Sequence, residues 1–189
     1  MAQLDGQVGL VTGGGRGIGA AVARELAAAG MRIAVTGRTA AQVQAVADEI
    51  GGLGLVGDVS QHGDVERWVA ETEHRLGPID LLVNNAAIVG APEPFWEHPP
   101  SEWWRVFEIN MLGAFLCCHA VLAGMVSRGR GRIVNVTSGA GYIRDVPTVG
   151  GDTSYPASKA ALTRFTERLA GACRLRRLRV RCRPGADPV

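Results

Sequence analysis

Apolar positions along this chain fall into short runs separated by longer stretches of helical period. Val8 to Val11 is the first run; a Gly-rich turn follows, then a helical pattern from Ile18 to Ala29 that Gly30 closes as a C-cap would. Ile33-Ala34-Val35 leads into a helical pattern over Ala40 to Ile50, and Leu53 to Val56 into one over Val65 to Leu76. Gly77-Pro78 breaks the chain before a fourth run, Ile79 to Val83. The Pro-rich passage from Ala91 to Pro100 fits neither period. A long helical pattern from Glu102 to Ser127 follows, with a break near Asn110; Ile133 to Val136 reads as a fifth strand and Pro156 to Cys173 as a further helix. Runs this short and this apolar suit strands buried on both faces. Their alternation with helices predicts an α/β fold, a doubly wound parallel sheet with helices on both faces. Right-handed crossovers then place a nucleotide site at the carboxyl ends of the strands.

Composition narrows this little. The chain has 189 residues, 47% hydrophobic and 20% charged, which fits one globular domain with a real core. No apolar run reads as long as a membrane span, and the N-terminus lacks the basic and apolar blocks of a signal peptide, so a cytoplasmic protein is expected. The four cysteines and four histidines show no zinc spacing, and buried reduced thiols are the expected state. The net charge of +2 is set by the tail, residues 174–189, which holds six arginines against Asp187. Outside it the chain is mildly acidic, with 14 basic and 17 acidic residues. A nucleic-acid partner recognised through a broad basic face is therefore not expected.

The candidate chemistry starts at Thr12-Gly13-Gly14-Gly15-Arg16-Gly17-Ile18-Gly19, between the first strand and the first helix. Glycines there allow a sharp turn and a close approach by a pyrophosphate, which the helix N-terminus would attract. An acid about twenty residues further on usually holds the ribose 2′-hydroxyl. Here the second strand ends Thr36-Gly37-Arg38 instead. Arg38, with Arg16 on the same side, suits a 2′-phosphate, so NADP(H) is expected over NAD(H). Tyr155 and Lys159 stand four apart at a helix start and share one face. An ammonium beside a phenol lowers the phenol's pKa toward a useful acid–base range. Lys159 is also the only lysine, against nineteen arginines.

The glycine motif resembles that of the short-chain dehydrogenase/reductase family. Further matches follow in the family's order: Asp58-Val59, Asn84-Asn85-Ala86, Asn110, Ser138, and Tyr155-Pro156-Ala157-Ser158-Lys159. The chain is similar to 3-oxoacyl-ACP reductase-like members of that family, and the resemblance covers it to about residue 170. It implies hydride transfer between a nicotinamide and a small carbonyl or alcohol substrate. It also implies roles: Asp58 on the adenine amino group, Val59 in backbone contact, Asn85 beside the ribose, and Asn110 holding a relay water. Ser138 would orient the substrate oxygen, Tyr155 act as acid or base, and Lys159 bind the nicotinamide ribose. A homodimer through the 102–127 and 156–173 helices is implied as well.

Three features depart from the family. Ala87 stands where Gly is usual; Ser138 and Tyr155 are seventeen apart, with the extra residues expected within Arg144 to Thr153. The family's substrate-covering segment and last strand are missing after the Arg-rich tail. In that tail Leu178 to Arg183 alternates apolar and basic residues, as an edge strand does. A shortened natural chain and a fragment left by a frameshift or early stop are both open. A non-catalytic nucleotide-binding or assembly module is the alternative function. Pro94-Phe95-Trp96 and Trp103-Trp104 are candidates for either a pocket wall or core and interface packing.

Overall fold

A computed structural model describes residues 4–90, 93–142, 153–174 and 179–184. The expected loop residues 144–152, and Arg176, Arg177, Leu178 and Asp187 of the tail, lie outside the described residues. Six strands form one sheet: β1 (Val8–Thr12), β2 (Arg32–Gly37), β3 (Leu53–Val56), β4 (Ile79–Asn84), β5 (Arg132–Thr137) and β6 (Arg179–Pro184). Their order is β3-β2-β1-β4-β5-β6, and every pairing is parallel. The chain starts at β1, winds outward to β3, then returns to add β4 on the other side. Ligands of doubly wound sheets bind at that reversal, beyond the carboxyl ends of β1 and β4.

Alternate strand residues serve two cores. Leu10, Ala34, Leu82 and Ile133 join one, with Trp68 and Val65 from α3 (His62–Arg75) and Cys117, Cys118, Val121 and Met125 from α5 (Gly113–Arg128). Val11, Ile33, Val35, Leu81 and Val83 join the other, with Ala20 and Ala23 from α1 (Gly17–Ala28) and Val43, Val46 and Ala47 from α2 (Ala40–Glu49). Because side chains alternate across a strand, both faces are apolar only if nearly every residue is. Burying each large side chain contributes about 1.5–3 kcal/mol. Gly30 takes φ +92 just after α1, the left-handed turn a Cβ would oppose.

The long helical pattern is interrupted as read. α4 (Pro100–Phe107) passes through a π-helical turn, Glu108–Leu112, into α5. Contrary to the sequence expectation, the continuous stretch Pro100–Arg128 is long and apolar enough to cross a membrane. Of its apolar window 44% is buried, with Cys117, Cys118, Val121 and Met125 set against the sheet and α3. The last helix, α6 (Ser154–Arg174), packs against α4, β5 and β6. β6 pairs only with β5, so it is the edge of the described sheet. Thr137 pairs in register with Pro184, which has no N–H to donate.

The aromatic residues of the irregular passage do not form core. Phe95, Trp96 and Trp104 are 58%, 82% and 57% exposed, and none lines the main cleft. Trp103 stacks on Phe107 with centroids 4.8 Å apart, and its Nε1 donates to Thr153 Oγ1 at 2.9 Å.

Candidate active site

The ends of β1, β2, β4 and β5 open into one cleft of about 740 Å³. Its wall includes Gly13, Gly15, Arg16, Gly17, Ile18, Arg38, Asp58, Val59, Asn85, Ser138, Tyr155 and Lys159. Of the candidate residues, Gly19 and Asn110 stand behind this wall.

At the glycine turn, sequence and geometry are tightly coupled. Gly13 has φ +64, and a Cβ on it would lie 2.9 Å from Ala86 Cα. A Cβ on Gly19 would lie 2.3 Å from the Gly13 carbonyl oxygen and 2.5 Å from Asn85 Nδ2. These glycines therefore pack the turn against the end of β4. Asn85 completes the joint: its Nδ2 donates to the carbonyls of Thr12 at 3.1 Å and Gly13 at 3.2 Å. Thr12 Oγ1 in turn accepts from the backbone N–H groups of Asn85 and Ala86, both at 3.1 Å. Thr12 thus belongs to the site's frame; the sequence marks it as the first residue of the glycine motif but does not show what it bonds. α1 begins at Arg16 with no side-chain cap and no acid in its first turn, so its positive end faces the cleft.

Neither Arg16 nor Arg38 pairs with a carboxylate among the described residues, whereas Arg24 is held by Glu49 at 2.7 Å and Arg67 by Asp64 at 2.6 Å. Asp58 is the only acid on the described cleft wall. Its Oδ1 accepts from Ser60 N at 2.9 Å and Ser60 Oγ at 2.7 Å, and its Oδ2 accepts from Arg105 Nη2. Burial alone would raise this carboxyl, but the two Ser60 donors and the Arg105 guanidinium outweigh burial and hold it below the usual range. Val59 lies over Gly113, where a Cβ would come within 2.7 Å of its side chain.

At the far end of the cleft, β5 and α6 meet. Ser138 Oγ accepts from Ala140 N at 3.2 Å and caps the short turn Gly139–Gly141. A Cβ on Gly141 would sit 2.9 Å from Ala160 N, so this glycine lets the turn lie directly on α6. Lys159 is 2% exposed; its Nζ donates to Val136 O at 2.8 Å and lies 5.6 Å from the centre of the Tyr155 ring. Burial pushes the Lys159 ammonium down to about 8.

Asn110 braces this end from behind. Its Oδ1 accepts from Ile88 N, and its Nδ2 donates to Ile88 O and to Ser158 Oγ, all at 2.9 to 3.0 Å. Ser158 Oγ passes the connection on to Tyr155 O at 2.8 Å. The amide implied to hold a water is thus used as a bracket between the loop after β4 and the first turn of α6. A second polar ladder fixes α6 lower down: Asn84 Nδ2 donates to Asn135 Oδ1 at 2.8 Å, and Asn135 Nδ2 to Thr166 Oγ1 at 2.7 Å. Thr166 and Lys159 lie two turns apart on one helix face, so neighbouring β5 residues hold both.

The class defined by this fold and cleft is an α/β protein with a Rossmann-type nucleotide-binding sheet, whose cleft wall carries Ser138, Tyr155 and Lys159. Residues 7–186 match the family model described as short chain dehydrogenase, and the chain belongs to that family. It is 34% identical over 174 residues to the 3-oxoacyl-[acyl-carrier-protein] reductase FabG of Aquifex aeolicus, an alignment covering 89% of this chain and 68% of the relative. It is 36% identical to the 2-dehydro-3-deoxy-L-rhamnonate dehydrogenase (NAD(+)) of a Sphingomonas strain, over 87% of this chain and 65% of that one. A solved metagenomic short-chain oxidoreductase in complex with NADP superposes with a TM-score of 0.87 at 31% identity, over 97% of this chain and 84% of that one. The chain spans 55% to 69% of the length of the curated relatives it matches.

Proposed function

We propose that this chain is a cytoplasmic NADP(H)-dependent oxidoreductase that moves a hydride between the nicotinamide and a small-molecule carbonyl or alcohol. The observation that carries the reading is Lys159, the chain's one lysine, buried between the Val136 carbonyl and the Tyr155 ring on a wall shared with Ser138. The glycine turn, the uncapped start of α1 and a cleft lined from Arg38 to Lys159 fit a dinucleotide, whose nicotinamide when bound would supply or accept the hydride. Ser138 Oγ would donate to the substrate oxygen and Tyr155 would give it a proton during reduction. The Lys159 ammonium favours the phenolate that remains and is placed to hold the nicotinamide ribose. Asn110 keeps the Tyr155 turn against the loop after β4. Self-association through the 102–127 and 156–173 helices belongs to this reading, supported by the exposed Leu112, Phe115 and Val126.

NADP(H) over NAD(H) is supported by two arginines, at the end of β2 and the start of α1, that pair with no carboxylate among the described residues. Arg38→Ala should weaken NADPH binding about tenfold or more, as loss of a charge-assisted phosphate contact does, and leave NADH binding within about twofold. Following NADPH oxidation with ketones and 3-oxoacyl thioesters tests the whole reading. Turnover with NADPH supports it, and a folded chain that binds NADPH yet reduces none of them would favour a binding module instead.

A further inference from the structure

Asp58 presents an unusual amount of bonding for a residue on a cleft wall. A carboxylate has about four lone-pair positions. Ser60 N and Oγ take both on Oδ1, and Arg105 Nη2 takes one on Oδ2. One position is left, on Oδ2, on a side chain 22% exposed toward the cleft. Arg105 reaches it from α4, forty-seven residues away in sequence. The guanidinium is itself fixed: its Nη1 donates to Ser60 Oγ at 2.8 Å and to Glu108 Oε2 at 2.9 Å.

We infer that Arg105 is a positioning residue for the adenine end of the cofactor: from α4 it fixes the Asp58 carboxylate so that one acceptor position faces the cleft for a ring amino group. The inference rests on the cofactor reading above and deepens it. Arg105 acts through Asp58, so it sets which base is accepted as well as how tightly it is held. A base with an amino group satisfies the remaining lone pair; a base with a carbonyl oxygen at that position meets a carboxylate oxygen and is rejected. The other charges around Asp58 are Asp64 on α3, whose Oδ2 accepts Asp58 N at 2.8 Å, Arg67 paired with Asp64, and Glu108 paired with Arg105. Of these only Arg105 places a positive charge directly on the Asp58 carboxylate. Without it the carboxyl titrates at a higher pH, and binding that depends on the ionised form becomes more acid-sensitive.

The test is calorimetric titration of the full chain and of Arg105→Met, Asp58→Asn and the double variant. The probes are NADPH and its hypoxanthine analogue, each between pH 5 and 8. Arg105→Met keeps the alkyl stem and so separates packing from charge. NADPH affinity is expected to fall about fivefold or more in Arg105→Met while the analogue changes less than about twofold. The acid limb of NADPH binding should move to higher pH, and adding Arg105→Met to Asp58→Asn should change the preference no further. Equal weakening of both probes, an unmoved pH limb, or additive effects in the double variant would overturn the inference while leaving the cofactor reading in place. A folded wild-type chain that binds neither probe would overturn both.

Discussion

Tyr155→Phe is expected to lower kcat by roughly 10²–10⁴-fold, the range over which a positioned acid or base contributes. NADPH affinity should change little, because the substitution removes one oxygen and keeps the ring that sits beside Lys159. The expectation follows from the site's division of labour: Ser138 can still orient a carbonyl oxygen, but the phenol that would hand over the proton is gone, the Lys159 ammonium is held on the Val136 carbonyl, and the Asp58 carboxyl is kept below its usual range by Ser60 and Arg105. Steady-state rates with a reducible carbonyl, beside calorimetric NADPH binding, separate the two effects. A variant that keeps full turnover would remove Tyr155 from the mechanism.

The second large effect is expected at Lys159, and it has two opposite parts. Lys159→Met should lose activity on the order of a hundredfold, since the phenolate loses its stabilising charge. In the absence of nucleotide, the same variant should be more stable at pH 7. Burial pushes the ammonium down to about 8 from the ordinary lysine value of 10.5, so at neutral pH the folded protein holds a charge it disfavours. That difference corresponds to a few kcal/mol, on the order of 3, partly offset by about 1–3 for the Val136 carbonyl left without its donor. Between about pH 8 and 10.5 the unfolded chain keeps its proton while the folded one releases it, so wild-type stability rises with pH through that window. The variant's advantage should therefore shrink across the window and reverse above it. Denaturant melts from pH 7 to 11 read this directly; an advantage independent of pH would mean that the ammonium is not the cause.

The fold was legible because changes from helical period back to apolar run are marked by a glycine or proline, as at Gly30 and Gly77-Pro78. The alternation of apolar and basic residues from Leu178 to Arg183 suits an edge strand, and β6 stands at the edge of the described sheet. Where the sequence left alternatives open, packing decided. Trp96 and Trp104 are as hydrophobic as Trp68, yet of the three only Trp68 is buried, because α3 lays it against the sheet while Trp96, in the loop after β4, and Trp104, on α4, are exposed. The break at Asn110 was visible, but its form was not: a π turn adds one residue to the ladder and barely alters the hydrophobic period.

The site's residue types were equally visible, whereas several of their bonds were not. Asn85 and Asn110 stand at the expected places, but their amides bind backbone, Thr12 and Gly13 in one case and Ile88 in the other. Nothing local announces such partners. The pair Asp58–Arg105 and the ladder Asn84–Asn135–Thr166 join residues from different layers of the fold, and their chemistry appears only when those layers meet. Asn84 and Asn135 even look out of place in strands that are otherwise apolar, until Asn135 is seen to accept from Asn84 and donate to Thr166.

Titration of the wild-type chain with NADPH and, separately, with NADH is the most direct measurement. NADPH should bind to the folded chain, with NADH weaker by at least about tenfold, equivalent to about 1.4 kcal/mol. A folded chain that binds neither dinucleotide, or that prefers NADH, would contradict the assignment of Arg38 and of the cleft it borders.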